Sequence, residues 1–502
     1  MSTKVNRELY QKLASDFEEE RLQSTIEIIK TLNAIKQDDK EAYGTEKDYA
    51  IQRLIKALSS NKRFARLGYS LCLGEILYLD LDESIKVSKS SFIQSVYQKL
   101  YEHLPLNDKD TSSSNNKNKK VKGKEERGNA FGRLFGLQMI SNQPLYQDLF
   151  FTNNEKSNFE YDVISDYIDE LYKLHLYKSW ISESALFAIF EFVVKILNDT
   201  GIHSEGKMKF RRFIVEKVDE LKLTMSLEGL AIYIKLIFSE GDIYRNLETI
   251  QEVRMKNLHW VNQNPFDRSN ITYLTKVLKG EDVISTKDQS TGNNNKGFWT
   301  PRLHFAYSIV INQLNKNHAN DFSIKSIKKA KKSSSEDTNK NNLFTINDFM
   351  NKIIDETFFS EKASTERKYL GFEMIKSLFA TDFKFITKLF GLKNFSRVLI
   401  NQVSKTDRML HSQATSVLKV ISDYFEKNST EISEFLIQIW QLDTDNETFV
   451  NFDTLTKSKL CSTLLATKLI SDDEKMEFSK RLANICQQIA DESLTEGSLK
   501  KY

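Results

Sequence analysis

The sequence predicts an all-α protein built from stacked helical hairpins. The chain has 502 residues but only 17 Gly and 4 Pro, well below average frequencies of about 7% and about 5%. Residues that end helices and form tight turns are therefore scarce. Apolar residues recur at helical spacing in many segments, and none alternates with period two for long enough to indicate a sheet. A two-helix unit takes about 40 to 47 residues, so the chain has room for roughly ten units.

Residues 51–77, IQRLIKALSSNKRFARLGYSLCLGEIL, predict one such hairpin. Ser60 or Asn61 interrupts the first helix and is expected to cap the second. Gly68 lies inside the second helix, where glycine is unfavourable unless another helix approaches closely. The apolar stripe that defines the first helix is Ile51, Leu54, Ile55 and Leu58.

Similar segments occur at 124–140 and 364–379, which indicates degenerate repetition of the hairpin. Each segment has a charged beginning, then a glycine and then an apolar run. An arginine precedes the glycine by four or five residues in the pairs Arg63 and Gly68, Arg127 and Gly132, and Arg367 and Gly371.

Three segments are rich in Lys, Asn and Ser and nearly free of apolar residues: 107–124, 284–297 and 325–342. Such segments bury too little surface to offset the entropy of ordering, so we expect disordered insertions. The whole chain, 1–502, is expected to form a single helical solenoid that contains these three insertions. After the second insertion, Thr300 and Pro301 are expected to begin a helix.

Motifs for metal, phosphate or dinucleotide chemistry do not occur in the sequence. No two histidines are spaced four apart, no histidine lies near a cysteine, and neither a phosphate-binding glycine loop nor G-x-S-x-G is present. We therefore expect no cofactor, no metal and no small-molecule substrate. Cys72 lies in an apolar helical run and is expected to be a small buried residue. The charged N-terminus and the absence of about 18 uninterrupted apolar residues argue against secretion and membrane spanning.

Asp443 and Asp445 lie two residues apart, a spacing that resembles the carboxylate pair of a two-metal site for nucleotidyl transfer. That chemistry requires the pair on a sheet facing a third carboxylate. Here the pair follows an amphipathic helix with no hairpin around it, so we interpret it as part of a loop between helices.

Two lysine clusters are the stronger functional signal, because each places five bases within eight residues and contains no acid. Such clusters attract phosphate backbones or a nuclear transport receptor by charge alone. A merely solubilising loop is an equal alternative. The candidate residues for nucleic-acid binding or nuclear targeting are Lys117, Lys119, Lys120, Lys122, Lys124, Lys325, Lys328, Lys329, Lys331 and Lys332.

Arg53, Arg63 and Arg66 are predicted to lie on helices. There they are expected to form surface ion pairs or to cap helix ends, in preference to contacting nucleic acid.

Several blocks together resemble the N-terminal half of the nucleolar proteins called DNA polymerase V or polymerase phi, related to Myb-binding protein 1A. The blocks are KVNRELYQKLASDFEEERLQS, RLIKALSSNKRFARLGYSLCLGEIL, GKEERGNAFGRLFGLQMI, LTKVL, PRLHF, FFSEKASTERKYLGF and NFDTLTKSK. The resemblance implies an armadillo/HEAT-like solenoid in the nucleus and nucleolus. Its implied partners are ribosomal DNA or pre-rRNA, pre-ribosomal proteins and importin.

The resemblance implies a scaffold that supports rRNA transcription and ribosome biogenesis. The family name alternatively implies a B-family DNA-directed DNA polymerase, and a transport-receptor or adaptor solenoid is a further alternative. Because the polymerase pattern is missing apart from Asp443 and Asp445, we expect no enzyme. Members of this family usually continue for about as long again through an acidic segment, so the chain is either a fragment or a short member.

Overall fold

The computed structural model describes residues 4–79, 81, 88–107, 123–152, 158–239, 242–280, 300–328, 344–381, 386–428, 432–440 and 452–466, with isolated positions between 472 and 487. This part of the protein is all-α, which confirms the predicted fold class. It contains no β-strand, and one isolated bridge pairs Phe151 with Phe159. The chain divides into two compact units.

The first unit is built mainly from Met1–Leu223 and Lys235–Asn257. Helix α11 (Leu227–Phe238) is divided, and only its residues from Lys235 onward belong to this unit. The other helices are α1 (Leu9–Lys12), α2 (Glu18–Asp38), α3 (Lys40–Ala57), α4 (Ala65–Tyr78), α5 (Lys89–His103), α6 (Gly123–Ile140), α7 (Leu145–Phe150), α8 (Tyr161–Tyr177), α9 (Ser179–Asn198), α10 (Ser204–Glu220) and α12 (Ile243–Gln251).

Helices α2, α4, α6 and α9 run in the same direction and form one layer. Lys36, near the end of α2, donates to the carbonyl of Leu79 at the end of α4, at 3.0 Å. The first turns of α6 and α9 meet where Arg127 lies over the Trp180 ring at 5.5 Å. Lys195, near the end of α9, donates to the carbonyl of Ser141 just after α6, at 2.6 Å. The four helices therefore begin at one edge of the layer.

Helices α3, α5 and α8 run in the opposite direction and connect the members of that layer. The Leu104 and Leu100 side chains, at the end of α5, face Gly132 and Gly136 in α6. Only residue 178 separates α8 from α9. The hairpins α3/α4, α5/α6 and α8/α9 are thus packed side by side, as the sequence predicts. The armadillo or HEAT type of repeat and the continuity of one solenoid over 1–502 stay predictions.

The glycines singled out in the sequence lie at close approaches. A Cβ atom on Gly68 would collide with the carbonyl oxygen of Leu13, and one on Gly132 would lie 3.1 Å from the carbonyl carbon of Leu58. At Gly371 it would lie 2.8 Å from the Phe359 ring. The predicted reason for glycine inside a helix is therefore confirmed for Gly68, and Gly132 and Gly371 lie at similarly close contacts.

The second unit is built mainly from Thr224–Ile234, Leu258–Gly292 and Trp299–Tyr502. A π-helix is rare in proteins, and here one follows α15 directly. The helices of this unit are α13 (Ile271–Leu278), α14 (Phe305–Lys328), α15 (Ile346–Asp348), the π-helix Phe349–Phe358, α16 (Thr365–Ala380), the 3₁₀-helix Ile386–Gly391, α17 (Lys393–Val403), α18 (His411–Phe425), α19 (Ile432–Trp440), α20 (Phe452–Thr456) and α21 (Leu460–Leu465), with short 3₁₀ turns at Val261–Gln263 and Arg268–Asn270.

Buried phenylalanines contribute much of the core of the second unit, and we call six of them the phenylalanine cluster. Phe390 is at its centre, with ring centroids 5.2 Å from Phe435 and 5.5 Å from Phe452. Such edge-to-face contacts add to the gain from burial alone. The cluster consists of Phe359, Phe390, Phe395, Phe425, Phe435 and Phe452.

Two helices begin later than the sequence predicts. Helix α4 starts at Ala65 rather than after Ser60 or Asn61, because Phe64 adopts a left-handed conformation with φ of 59° immediately before it. Helix α14 starts at Phe305, and the Thr300 hydroxyl donates to the carbonyl of Arg302 in the turn before it.

Two predicted insertions overlap helices. Helix α6 begins at Gly123 and overlaps the end of the predicted insertion 107–124. Helix α14 continues to Lys328 and overlaps the beginning of the predicted insertion 325–342. Residues 284–297 lie outside the described part of the chain.

Candidate nucleic-acid interface

Three of the candidate lysines are placed by the structure. Lys124 is exposed in the first turn of α6, and Lys325 and Lys328 belong to the last turn of the α14 backbone. All three were expected in loops and instead belong to helices, because regular backbone extends into both lysine-rich segments. The remaining candidates lie outside the described residues: Lys117, Lys119, Lys120, Lys122, Lys329, Lys331 and Lys332.

The three arginines predicted on helices behave only partly as expected, because Arg63 lies in the turn before α4, while Arg53 and Arg66 lie on α3 and α4. Arg66 donates from Nε to the carbonyl of Leu58, at 3.0 Å, and so caps the end of the preceding helix. Arg53 donates to the Tyr49 hydroxyl at 2.6 Å. Arg63 lies over the Phe64 ring at 4.6 Å. Capping is therefore confirmed for Arg66, whereas the expected ion pairs do not form with any described residue.

Arg63 and Arg66 belong to a larger group of basic and aromatic side chains. The group lies at the edge of the first unit where α4, α6 and α9 begin. We call it the arginine–aromatic surface, and it consists of Lys62, Arg63, Phe64, Arg66, Lys124, Arg127, Phe131, Phe135 and Trp180.

Flat groups alternate across this surface. The Arg66 guanidinium lies 5.3 Å from the centre of the Phe131 ring and 5.9 Å from that of Phe135. Arg127 lies 5.9 Å from Phe131 and 5.5 Å from Trp180. The Phe131 and Trp180 ring centres are 5.7 Å apart. The result is a continuous row from Arg66 to Trp180 that crosses three helices.

Glycines in α6 bring this row together. A Cβ atom on Gly128 would lie 2.7 Å from the carbonyl oxygen of Ser59, so α6 contacts the α3–α4 turn with its backbone. Asn129 fixes the same turn of α6 by donating to the carbonyl of Pro105 at 2.9 Å. Arg127 immediately precedes Gly128, and Phe131 follows Asn129 by two residues. Phe131 therefore lies beside Arg66, and Arg127 lies beside Phe131.

The basic side chains of this surface outnumber the acidic ones beside them and are not held in ion pairs in the part of the chain that the structure describes. These five side chains have no ion-pair partner among the described residues: Lys62, Arg63, Arg66, Lys124 and Arg127. Burial lowers the pKa of Arg66 from its ordinary value. Among nearby acids, Glu126 accepts a hydrogen bond from the Tyr177 hydroxyl, and Glu125 is exposed. The beginnings of three parallel helices add the positive ends of their dipoles.

Such a surface can bind phosphate groups and flat ring systems. Guanidinium groups pair with phosphate oxygens, and aromatic rings stack on nucleobases. No group of three or more His, Cys, Asp or Glu in the described part of the chain could hold a metal ion. Asp443 and Asp445, the pair considered for nucleotidyl transfer, lie outside that part.

The acidic residue of the NFDTLTKSK block has a structural position. Asp453 accepts hydrogen bonds from the backbone N–H groups of Cys461, at 3.0 Å, and Ser462, at 2.9 Å, at the beginning of α21. Burial alone would raise the pKa of Asp453, but these bonds and those from the Ser462 and Ser458 hydroxyls outweigh it and lower the pKa. Asp453 therefore caps a helix.

The described cysteine thiols are unreactive. Burial raises the pKa of Cys72 to about 12 and that of Cys461 to about 12. A thiol with such a pKa is protonated at neutral pH and is a poor nucleophile. The prediction that Cys72 is a small buried residue is confirmed.

Sequence reasoning missed Phe131, Phe135 and Trp180. The available signal was local: Arg127 and Phe131 are four residues apart on a predicted helix, the spacing at which side chains on one face meet. Trp180 could not be assigned in this way, because its contact with Phe131 depends on the packing of α9 against α6.

The fold and this surface define an all-α protein of packed helical hairpins with one edge that is rich in basic and aromatic side chains. No described helix combines the length and the apolar character needed to cross a bilayer. The model of the DNA polymerase phi family matches residues 49–501. The chain therefore belongs to the DNA polymerase phi family.

Two curated relatives are similar over most of the chain. The rDNA transcriptional regulator POL5 of Saccharomyces cerevisiae is 34% identical over 480 residues, which is 93% of this chain and 44% of that protein. The rDNA transcriptional regulator pol5 of Schizosaccharomyces pombe is 25% identical over 466 residues, 93% of this chain and 40% of that protein. The chain thus spans less than half the length of these relatives. No solved structure matches it.

Proposed function

We propose that the chain is a regulator of ribosomal DNA transcription that acts as a nucleolar scaffold and binds nucleic acid without catalysis. Both curated relatives carry the name rDNA transcriptional regulator, although the family is named after a polymerase. Packed hairpins supply long surfaces, which suit macromolecular binding better than small-molecule chemistry. The chain spans 44% and 40% of the length of those two relatives. We therefore extend the activity of the whole relatives to this chain only as a proposal.

One observation carries the binding function. Five basic side chains cluster at one edge of the first unit and have no acidic partner among the described residues. A surface charge that serves stability is usually placed beside an opposite charge, whereas a phosphate-binding surface leaves its bases free. Lys124 also places the lysine-rich segment 107–124 next to this edge in the sequence. We therefore expect the lysine cluster and the arginine–aromatic surface to contact the same nucleic acid.

The proposed partners are ribosomal DNA or pre-rRNA together with pre-ribosomal proteins, and the proposed location is the nucleolus. Import would depend on recognition of the lysine clusters by an importin. Imaging a tagged chain tests the location. Exclusion from the nucleolus would favour the adaptor alternative and remove the scaffold proposal.

The binding proposal is tested with Arg63→Gln/Arg127→Gln, because both side chains are exposed. The variant is expected to weaken binding to a ribosomal DNA fragment and to lower the slope of log K against log salt by about 2, roughly one per lost phosphate contact. Arg254→Gln/Arg408→Gln is the matched control, since it removes the same charge from exposed positions elsewhere. Equal slopes for the two double variants would refute a role for this surface.

A further inference from the structure

The arginine–aromatic surface contains two kinds of group that suit different parts of a nucleic acid. Arg63 and Arg127 are exposed and charged, while Phe131, Phe135 and Trp180 are only half-buried. Phosphates are accessible in every nucleic acid. Base faces are accessible only where the strand is unpaired, since a duplex stacks them on one another. Half-buried rings would therefore contribute nothing to binding of a regular duplex.

The row from Arg66 to Trp180 is suited to stacking. Bases stack on aromatic rings and on the planes of guanidinium groups, and here such planes alternate at centre distances of 5.3 to 5.9 Å. Arg127 is exposed and contacts two rings, so its guanidinium offers a flat, positively charged face to solvent.

A second group of arginines and aromatic rings in the same unit has contacts typical of a structural role. Arg7 lies 3.8 Å from the centre of the Tyr49 ring, and its guanidinium is held by the carboxylate of Glu46, which is itself buried. Arg53 lies over Tyr10, whose ring is fully buried. The side chains of Arg7 and Arg53 are thus held by contacts within the protein. The guanidinium of Arg127 has no such partner among the residues that the structure describes.

We propose that the arginine–aromatic surface binds unpaired nucleotides of RNA or DNA, with bases stacking on Phe131, Trp180 and the guanidinium of Arg127. Arg63 and Lys124 contact the phosphates of the same strand. This inference rests on the proposed function and narrows its ligand from nucleic acid in general to a single strand. Stacking is tolerant of base identity, so single-stranded RNA and DNA of mixed sequence bind alike, and duplex binds more weakly.

The test compares Phe131→Leu/Trp180→Leu with wild type on three probes of equal length: single-stranded RNA, single-stranded DNA and duplex DNA. Leucine keeps the apolar packing and removes the ring faces. The affinity for both single-stranded probes is expected to fall about tenfold or more, because stacking on one or two bases is lost. The affinity for duplex DNA is expected to change little. Tyr49→Leu is the control, since it removes an exposed ring from the structural group.

A second measurement does not depend on a large substitution. Stacking of a base on Trp180 quenches its fluorescence, so single-stranded probes are expected to quench the wild-type protein more than Trp180→Phe. Trp180→Phe keeps a ring and should retain most of the affinity. Trp260 is fully buried and serves as an internal reference.

The outcomes separate this inference from the proposed function. If the leucine variant binds single strands as tightly as wild type, or loses duplex binding equally, stacking is refuted. The glutamine variant of Arg63 and Arg127 would still lose affinity for every probe, and the proposed function would stand. If neither variant changes any affinity, both proposals fall.

Discussion

The arginine–aromatic surface of the first unit and the phenylalanine cluster of the second unit use the same residue types for different purposes. Phe131 lies half-buried between two arginines, whereas Phe390 is buried among Phe395, Phe435 and Phe452. Rings that contact other rings away from water contribute to stability. A half-buried ring keeps part of its surface exposed to solvent, where a ligand can reach it. An aromatic residue therefore has to be interpreted with its neighbours and not by its type.

The largest effect is expected in the phenylalanine cluster. Phe390→Ala should lower the free energy of unfolding by about 3 to 5 kcal/mol, because it removes a buried ring and leaves a cavity. Urea unfolding measures this change. Phe131→Ala, at the surface, is expected to lower the free energy of unfolding much less. An equal loss in the two variants would show that Phe131 contributes to stability as much as Phe390 does.

The first unit depends on close helix approach rather than on its exposed rings. Gly68→Ala would place a methyl group against the carbonyl oxygen of Leu13, so we expect a loss of about 1 to 3 kcal/mol from overpacking. Gly44→Ala is the matched control, since nothing lies within 4 Å of its Cβ position. A Gly68→Ala protein as stable as Gly44→Ala would show that the α1–α4 contact tolerates displacement.

A smaller effect is expected at a helix cap of the second unit. Asp453→Ala should cost about 1 kcal/mol near pH 7, as loss of a capping carboxylate usually does. The pKa of Asp453 is lowered in the folded protein, so its stabilisation is complete above the unfolded pKa of about 3.9 and is lost as the pH falls further. The difference between variant and wild type should narrow in acid. A constant difference down to pH 2 would assign the loss to packing instead.

The smallest effect on stability is expected for the exposed arginines. Arg63→Gln and Arg127→Gln should each change the free energy of unfolding by less than about 0.5 kcal/mol, as surface substitutions generally do. Thermal unfolding checks this value. Losses above 1 kcal/mol would mean that these side chains stabilise the first unit, and the contrast with the phenylalanine cluster would weaken.

The fold class and the glycine contacts could be predicted because they depend on patterns within single helices. Apolar periodicity and the scarcity of Gly and Pro predict helices, and glycine inside an apolar helix predicts close approach, as at Gly68 and Gly132. Helix ends were predicted less well. The left-handed conformation of Phe64 has no sequence signal, so the start of α4 was placed too early.

The binding surface could be predicted only in part, because its composition depends on contacts between helices that are distant in the sequence. Arg66 was correctly expected to cap a helix end, but its second contact, with Phe131, requires α6 to pack on the α3–α4 turn. The expectation of an ion pair or a helix cap holds for Arg66, which caps, and is wrong for Arg53 and Arg63, which contact Tyr49 and Phe64 instead. Nothing local specifies whether an acidic side chain will lie within reach.

The three glycines on one side of α6 have a mechanical consequence. At Gly128, Gly132 and Gly136 the helix touches Ser59, Leu58 and Leu100 without side chains of its own in between. The contacts of Gly128 with Ser59 and of Gly132 with Leu58 are with backbone atoms. They set the separation between the backbones of Arg66 and Arg127, which a change of rotamer does not alter. A ligand would meet an arrangement of charges and rings that already exists, and little conformational entropy would be lost in forming it.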